Sequence, residues 1–349
     1  TTYAELTTSP ERDFEIQRGT FTIATSSTST TLTAGVDYVA PSASTSAFIR
    51  ITNIAHTGAG HNNGTVAAQN ATNTTVYIVN PSNIMNSVTF ARTGVTNNTR
   101  VSWEIIEFIG TPGSDNEMIV RSQSFIQYAT ASTSATTSTI AGIVDDADVV
   151  VFITGQQNND IASTNYDSGL STSAWATTSD RAYFWRGSSG TDANRISYAV
   201  VEFTGINWVV QRAEHTYAAA GITETENITA VGSLAKTFIH TQKRNNTGLN
   251  GTDEFGAEVW LSSIGVASFV LQTGATTPGG QTSVIWIIEN LQTSAGAMEV
   301  TRTSGSSNVG PAPISLSVSI GKTLTDITNA SIFAVARSSV AGTTHPRAQ

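Results

Sequence analysis

The chain contains no cysteine, which excludes disulfides, thiol nucleophiles and thiolate metal sites. Lysine is nearly as scarce, occurring only as Lys236, Lys243 and Lys322. Charged residues make up 12% of the 349, about half the usual share of roughly 25%, so solubility rests on Thr, Ser, Asn and Gly. A formal net charge of −9 and a pI near 5.0 set the surface against a phosphate backbone, and nucleic acid is not an expected partner. No apolar run approaches the ~18 residues of a spanning helix. The opening Thr1-Thr2-Tyr3-Ala4-Glu5-Leu6 lacks a basic segment followed by an apolar one, so neither membrane insertion nor a visible leader is expected.

Recognisable chemistry is also missing. There is no G-x-S-x-G elbow, G-x-G-x-x-G turn or phosphate-binding P-loop. His56 and His61 sit in an Asn/Gly stretch without the further ligands that zinc needs, and His215, His240 and His345 have no triad-like context. Asp145-Asp146-Ala147-Asp148 lacks the glycine and terminal Glu of a calcium loop and reads as a polar turn into the following strand. No catalytic residue, cofactor or metal is therefore expected, and the chain is read as a non-enzyme.

What is present is repetition. Val101-Ser102-Trp103-Glu104-Ile105-Ile106-Glu107-Phe108 returns as Ser197-Tyr198-Ala199-Val200-Val201-Glu202-Phe203 and as Val284-Ile285-Trp286-Ile287-Ile288-Glu289-Asn290. Each copy closes a unit of about 90 to 100 residues, a size that matches a two-sheet domain. Each unit opens on an alternating strand that carries Arg18, Arg121, Arg212 or Arg302. A Thr/Ser-rich tract follows, then an apolar strand around Phe48, Phe152, Phe238 or Phe333. The tracts are predicted to be edge strands and turns, because the β-branch of Thr suits an extended backbone.

The expected fold is all-β, built of tandem β-sandwich units: an arm at 1–13, complete units at 14–117, 118–207 and 208–297, and a partial fourth at 298–349. In the closing strand, Trp103, Ile105 and Glu107 point one way and Glu104, Ile106 and Phe108 the other. Both faces are largely apolar, which predicts a central strand with its Glu at an exposed end. Half a unit cannot bury its own core, so the fourth either continues in a longer chain or borrows strands from a neighbouring copy.

Each closing Glu precedes the next unit's Arg by 10 to 14 residues, enough for a turn and a return. Glu107 with Arg121, Glu202 with Arg212 and Glu289 with Arg302 are the candidate ion pairs at the unit junctions. Tyr166 and Trp175, near Tyr183 and Trp185, are candidate stacking partners for a sugar. Tyr183 and Trp185 alternate with Phe184, so one set of that strand is expected to be core.

In composition and tandem-β organisation the chain resembles the virion structural proteins of tailed bacteriophages. The resemblance implies a decoration, fibre or tail-associated role at the virion surface, with other virion proteins and further copies of itself as partners, and units strung outward from an attachment arm. It transfers no functional residues. Two other classes remain: an adhesin binding a host-surface glycan, and a cellular surface-layer or filament subunit.

Overall fold

The computed structural model describes residues 13–57, 76–93, 98–130, 132–157, 171–187, 194–218, 223–245, 257–271, 281–293 and 298–300. Tyr166, Arg302, His61, His345 and nearly all of the fourth unit lie outside the described residues.

The fold is all-β; the described residues form eighteen strands in six antiparallel three-stranded sheets. Unit one holds β1 (Phe14–Ile23), β2 (Ser29–Thr33), β3 (Ala47–Thr57), β4 (Tyr77–Ile78), β5 (Ser87–Ala91) and β6 (Asn98–Phe108). Unit two holds β7 (Ile119–Gln127), β8 (Ser134–Thr136), β9 (Val149–Gln157), β10 (Ser171–Ala176), β11 (Arg181–Arg186) and β12 (Arg195–Glu202). Unit three holds β13 (Trp208–Thr216), β14 (Thr223–Asn227), β15 (Thr237–Asn245), β16 (Ala257–Ser263), β17 (Val266–Leu271) and β18 (Gln281–Asn290).

The same winding occurs in all three units. The first, sixth and third strands form one sheet (β1-β6-β3, β7-β12-β9, β13-β18-β15), and the second, fifth and fourth form the other (β2-β5-β4, β8-β11-β10, β14-β17-β16). First pairs with sixth and second with fifth, so each unit is a long hairpin rolled into a sandwich, the winding of a jelly roll with one strand pair fewer. The Thr/Ser tracts supply β2, β8 and β14, all edge strands. There the polar, β-branched residues blunt the sheet edge.

The Glu-ended strand is central in its sheet in every unit; in units one and three its two faces fall in separate cores, and in unit two both join the same cluster. Val101, Trp103 and Ile105 of β6 pack into unit one's own sandwich with Ile23, Tyr38, Val88 and Phe90. Ile106 and Phe108, on the opposite face, join a second cluster that holds Phe48 of unit one, Phe152 and Val200 of unit two, and Trp208, Trp286 and Ile288 of unit three. Units one and two stack Phe48 on Phe152 at 5.0 Å, and units one and three meet through Phe14 and Trp208 at 5.9 Å. The units therefore do not follow one another like beads; their large sheets close around a shared interior. Burying a large apolar side chain there contributes about 1.5–3 kcal/mol, which explains why both faces of the closing strands are apolar.

Close approach fixes one glycine. A Cβ on Gly19 would lie 2.6 Å from the indole of Trp103, so the β1 backbone can rest on that ring only without a side chain.

Candidate functional site

The three closing glutamates are buried, not exposed as their position at a strand end suggested: Glu107 is 5%, Glu202 0% and Glu289 4% accessible. Each turns back within its own unit and accepts hydrogen bonds from the loop that leads into the third strand. Glu107 Oε1 accepts from the backbone N–H and the hydroxyl of Ser42, both at 2.6 Å. Glu202 Oε1 accepts the N–H groups of Val144 and Asp145, both at 2.7 Å, and Glu289 Oε1 that of Ser233 at 2.8 Å. A buried carboxylate is tolerated because its lone pairs are filled; the repeated Glu is a loop clasp.

Among the described residues no ion pair joins Glu107 to Arg121 or Glu202 to Arg212. Arg121 instead pairs with Glu202 of its own unit at 2.5 Å. Strand register gives the reason. Val200 is opposite Ser122 and Val201 opposite Val120, leaving Arg121 in a bulge. The bulge inserts one residue and re-aims the side chain, so Arg121 reaches the clasp of its own unit. In units one and three the corresponding places are held by Gln17, which bonds both backbone groups of Val39, and by Gln211, which donates to Thr229 O. Arg212 does cross between units, donating from Nε to Ser173 O of unit two at 3.0 Å, with its Nη2 on Glu214 and its guanidinium over Trp286.

Around the shared apolar core, uncharged amides make polar contacts between units. Gln242 of β15 inserts into unit two, where its amide donates to Val151 O at 2.9 Å and accepts from the Ser173 N–H at 2.7 Å and from its hydroxyl at 2.9 Å. Gln123 of β7 donates to Ser44 O and Ala47 O of unit one. At the starts of the units, Asn116 donates to Asp13 and Gln292 and accepts from Asn207 and Asn290.

The centre holds the molecule's least expected residues. Three positions before each closing Glu stand Glu104, Ala199 and Trp286, which pair across to Arg50, Phe152 and His240. These equivalent residues converge: the rings of Phe152 and His240 lie 5.0 Å apart, and Arg50 is close enough to act electrostatically on His240. Glu104, buried, is held by Arg50 at 2.8 Å and Arg18 at 3.3 Å. Burial, with the Arg50 charge adding to it, pushes the His240 imidazole down to about 3, so it is neutral. Arg50 inside Ala47-Phe48-Ile49-Arg50-Ile51 was the available sequence signal, a cation in an otherwise apolar strand.

Of the sugar-stacking candidates, Trp175 packs its ring against the shared core and donates its indole N–H to Asp146 at 2.7 Å. Asp145 accepts from the Ala147 N–H and caps a single 3₁₀ turn over Asp146–Asp148, a polar turn into β9. In β11, Ala182, Phe184 and Arg186 are buried, while Tyr183 and Trp185 are half-buried on the outer face. Those two rings stack at 5.8 Å. Trp185, Arg186, Thr133 and Gly187 of unit two and Glu214 and Arg244 of unit three line an open cleft of about 400 Å³. A second, polar cleft of about 550 Å³ surrounds Asn116 and Asp13 at the unit starts.

No protein-family model, curated protein or solved structure matches the chain.

His215 illustrates what the remaining charged groups do. Its Nδ1 meets Glu226 and its Nε2 meets Glu224, each at 2.8 Å, and its ring stacks on Phe269 at 4.8 Å. The carboxylates face opposite ring nitrogens and do not converge on one point. Among the described residues no group of three or more His, Asp or Glu is placed to hold a metal.

Proposed function

We propose that this chain is a non-enzymatic structural protein of a virus particle, a decoration, fibre or tail-associated component of a tailed bacteriophage that acts through assembly contacts. One observation carries the reading: three copies of one sandwich, in a single chain, enclose a common core that no unit could bury alone. Such a body presents three similar outer faces from one rigid centre, a geometry suited to a building block at the surface of a symmetric particle. The Lys-poor, hydroxyl- and amide-rich surface adds support, since it resists nonspecific adhesion to nucleic acid. Immunogold labelling of purified particles and of cell envelopes from the same culture tests the assignment. Label on intact particles is expected; label confined to envelopes would place the chain in a cellular surface layer instead.

A second reading, an adhesin for a host-surface glycan, is favoured by Tyr183 and Trp185, two adjacent aromatic rings on the outer face of β11 where the equivalent central strands β5 and β17 carry none. The corresponding outward residues are Thr89 and Ala91 beside Phe90, and Ser268 and Val270 beside Phe269.

A further inference from the structure

An open cleft lies between units two and three. Here the outer face of β11 meets the ends of β13 and β15 and leaves a gap whose walls are an indole, a hydroxyl and charged groups. Trp185 is half-buried, with Tyr183 beside it and the guanidinium of Arg244 5.9 Å from its ring centre. Arg244 Nη2 and Arg212 Nη2 both hold Glu214, at 3.0 and 2.6 Å, so one exposed carboxylate is shared by two guanidiniums. Arg244 Nη1 donates to Thr172 Oγ1 at 3.3 Å, while its Nε is buried with no partner. Thr133, Gly187 and Arg186 complete the lining, the Arg186 guanidinium itself being turned inward over Tyr128 and onto Ser132 O. On a chain of net charge −9, the described residues around this cleft place Arg212 and Arg244 together on Glu214.

Those walls specify a ligand. An indole in a cleft offers a flat apolar surface that fits the C–H face of a pyranose ring. Guanidiniums recognise a carboxylate through paired N–H donors. A hydroxyl and a carboxylate at the rim can exchange hydrogen bonds with sugar hydroxyls. Few, well-placed polar groups around an apolar platform are the usual composition of a small-ligand site.

We propose that this cleft binds a carboxylated pyranose, a uronic- or sialic-type residue of a surface glycan, with its ring against Trp185 and its carboxylate toward Arg244. The proposal rests on the adhesive reading and is independent of where in a particle the chain sits. Glu214 holds the guanidiniums in place when the cleft is empty, and a ligand carboxylate competes with it for them.

The test is binding of the full chain to a printed array of neutral and carboxylated saccharides, at low and high salt. Carboxylated pyranoses are expected to bind, with affinity falling as salt rises. Trp185→Ala, on an outer sheet face, is expected to weaken binding on the order of tenfold or more, the loss of one stacking contact of about 1.4 kcal/mol, with an unchanged unfolding midpoint. Arg244→Gln is expected to abolish the preference for the carboxylate, and Trp175→Phe, outside the cleft, to leave binding unchanged. Carboxylate-selective binding that survives Trp185→Ala would overturn the site while leaving the adhesive reading intact. Binding of neutral saccharides alone would overturn the ligand class. An array with no binding at all would overturn both site and adhesive reading.

Discussion

Acidification should destabilise this protein through one residue. His240 is neutral, with its folded-state value pushed down to about 3 by burial and by Arg50, against roughly 6.5 for an unfolded histidine. Between these values the unfolded chain binds a proton that the folded chain refuses. The contribution is therefore complete above about pH 6.5 and is lost as pH falls toward 3. For one such group the loss is about 2 kcal/mol at pH 5 and about 3 kcal/mol at pH 4. The control comes from the fold's own repetition. Unit two carries Phe152 at the position of His240, so His240→Phe places an aromatic ring where a sister unit already has one. Urea unfolding of both proteins at pH 7.5, 6 and 5 separates this group from the carboxylates, which titrate in both. The stability of the original chain relative to His240→Phe should fall by about 2 kcal/mol from pH 7.5 to 5. Parallel stability profiles for the two proteins would refute the reasoning, and so would a smaller pH dependence in the original chain than in the variant.

Three further outcomes are expected from urea midpoints at neutral pH. Glu202→Ala leaves the Arg121 guanidinium and two N–H groups without their acceptor and should cost about 3–5 kcal/mol, with Glu202→Gln costing less because it still accepts from Val144 and Asp145. Gln242→Ala strips partners from Val151 O and Ser173 and should cost about 1–3 kcal/mol, with hydrogen exchange rising in β9 and β10 ahead of β2 and β5. Gly19→Ala forces a methyl into the Trp103 indole and should cost about 1–3 kcal/mol, reported by a shift in tryptophan fluorescence.

The sequence made the sheet centres legible because alternation is local: Trp103 and Ile105 against Ile106 and Phe108 could be divided between two faces without knowing what covered either. The Thr tracts were legible as edges for the same reason, since β-branching acts within a residue. What covered the second face was not, because a run that is apolar on both sides looks the same whether a helix, a sheet or a sister unit packs on it. The repeated arginines misled through register. Their spacing suggested one role, but a single inserted residue sends Arg121 to Glu202 while Arg18 lies opposite Glu104 and Arg212 opposite Trp286. Trp175 drew notice by residue type, whereas Trp185 matters through Glu214 and Arg244, which come from another unit and are adjacent only after folding.

The centre where Arg50, Phe152 and His240 meet has a consequence for how such a body can be made. Three identical subunits around a threefold axis would each contribute the same side chain there. An arginine would then be present in triplicate, three like charges crowded in a dry interior, and a histidine or phenylalanine would have to fit against two of itself. Joining the units in one chain removes that restriction. Each equivalent position can differ, so Arg50, secured by Glu104, can sit beside a phenyl ring and a neutral imidazole. Covalent linkage thus permits an interior whose composition changes from one repeat of the winding to the next.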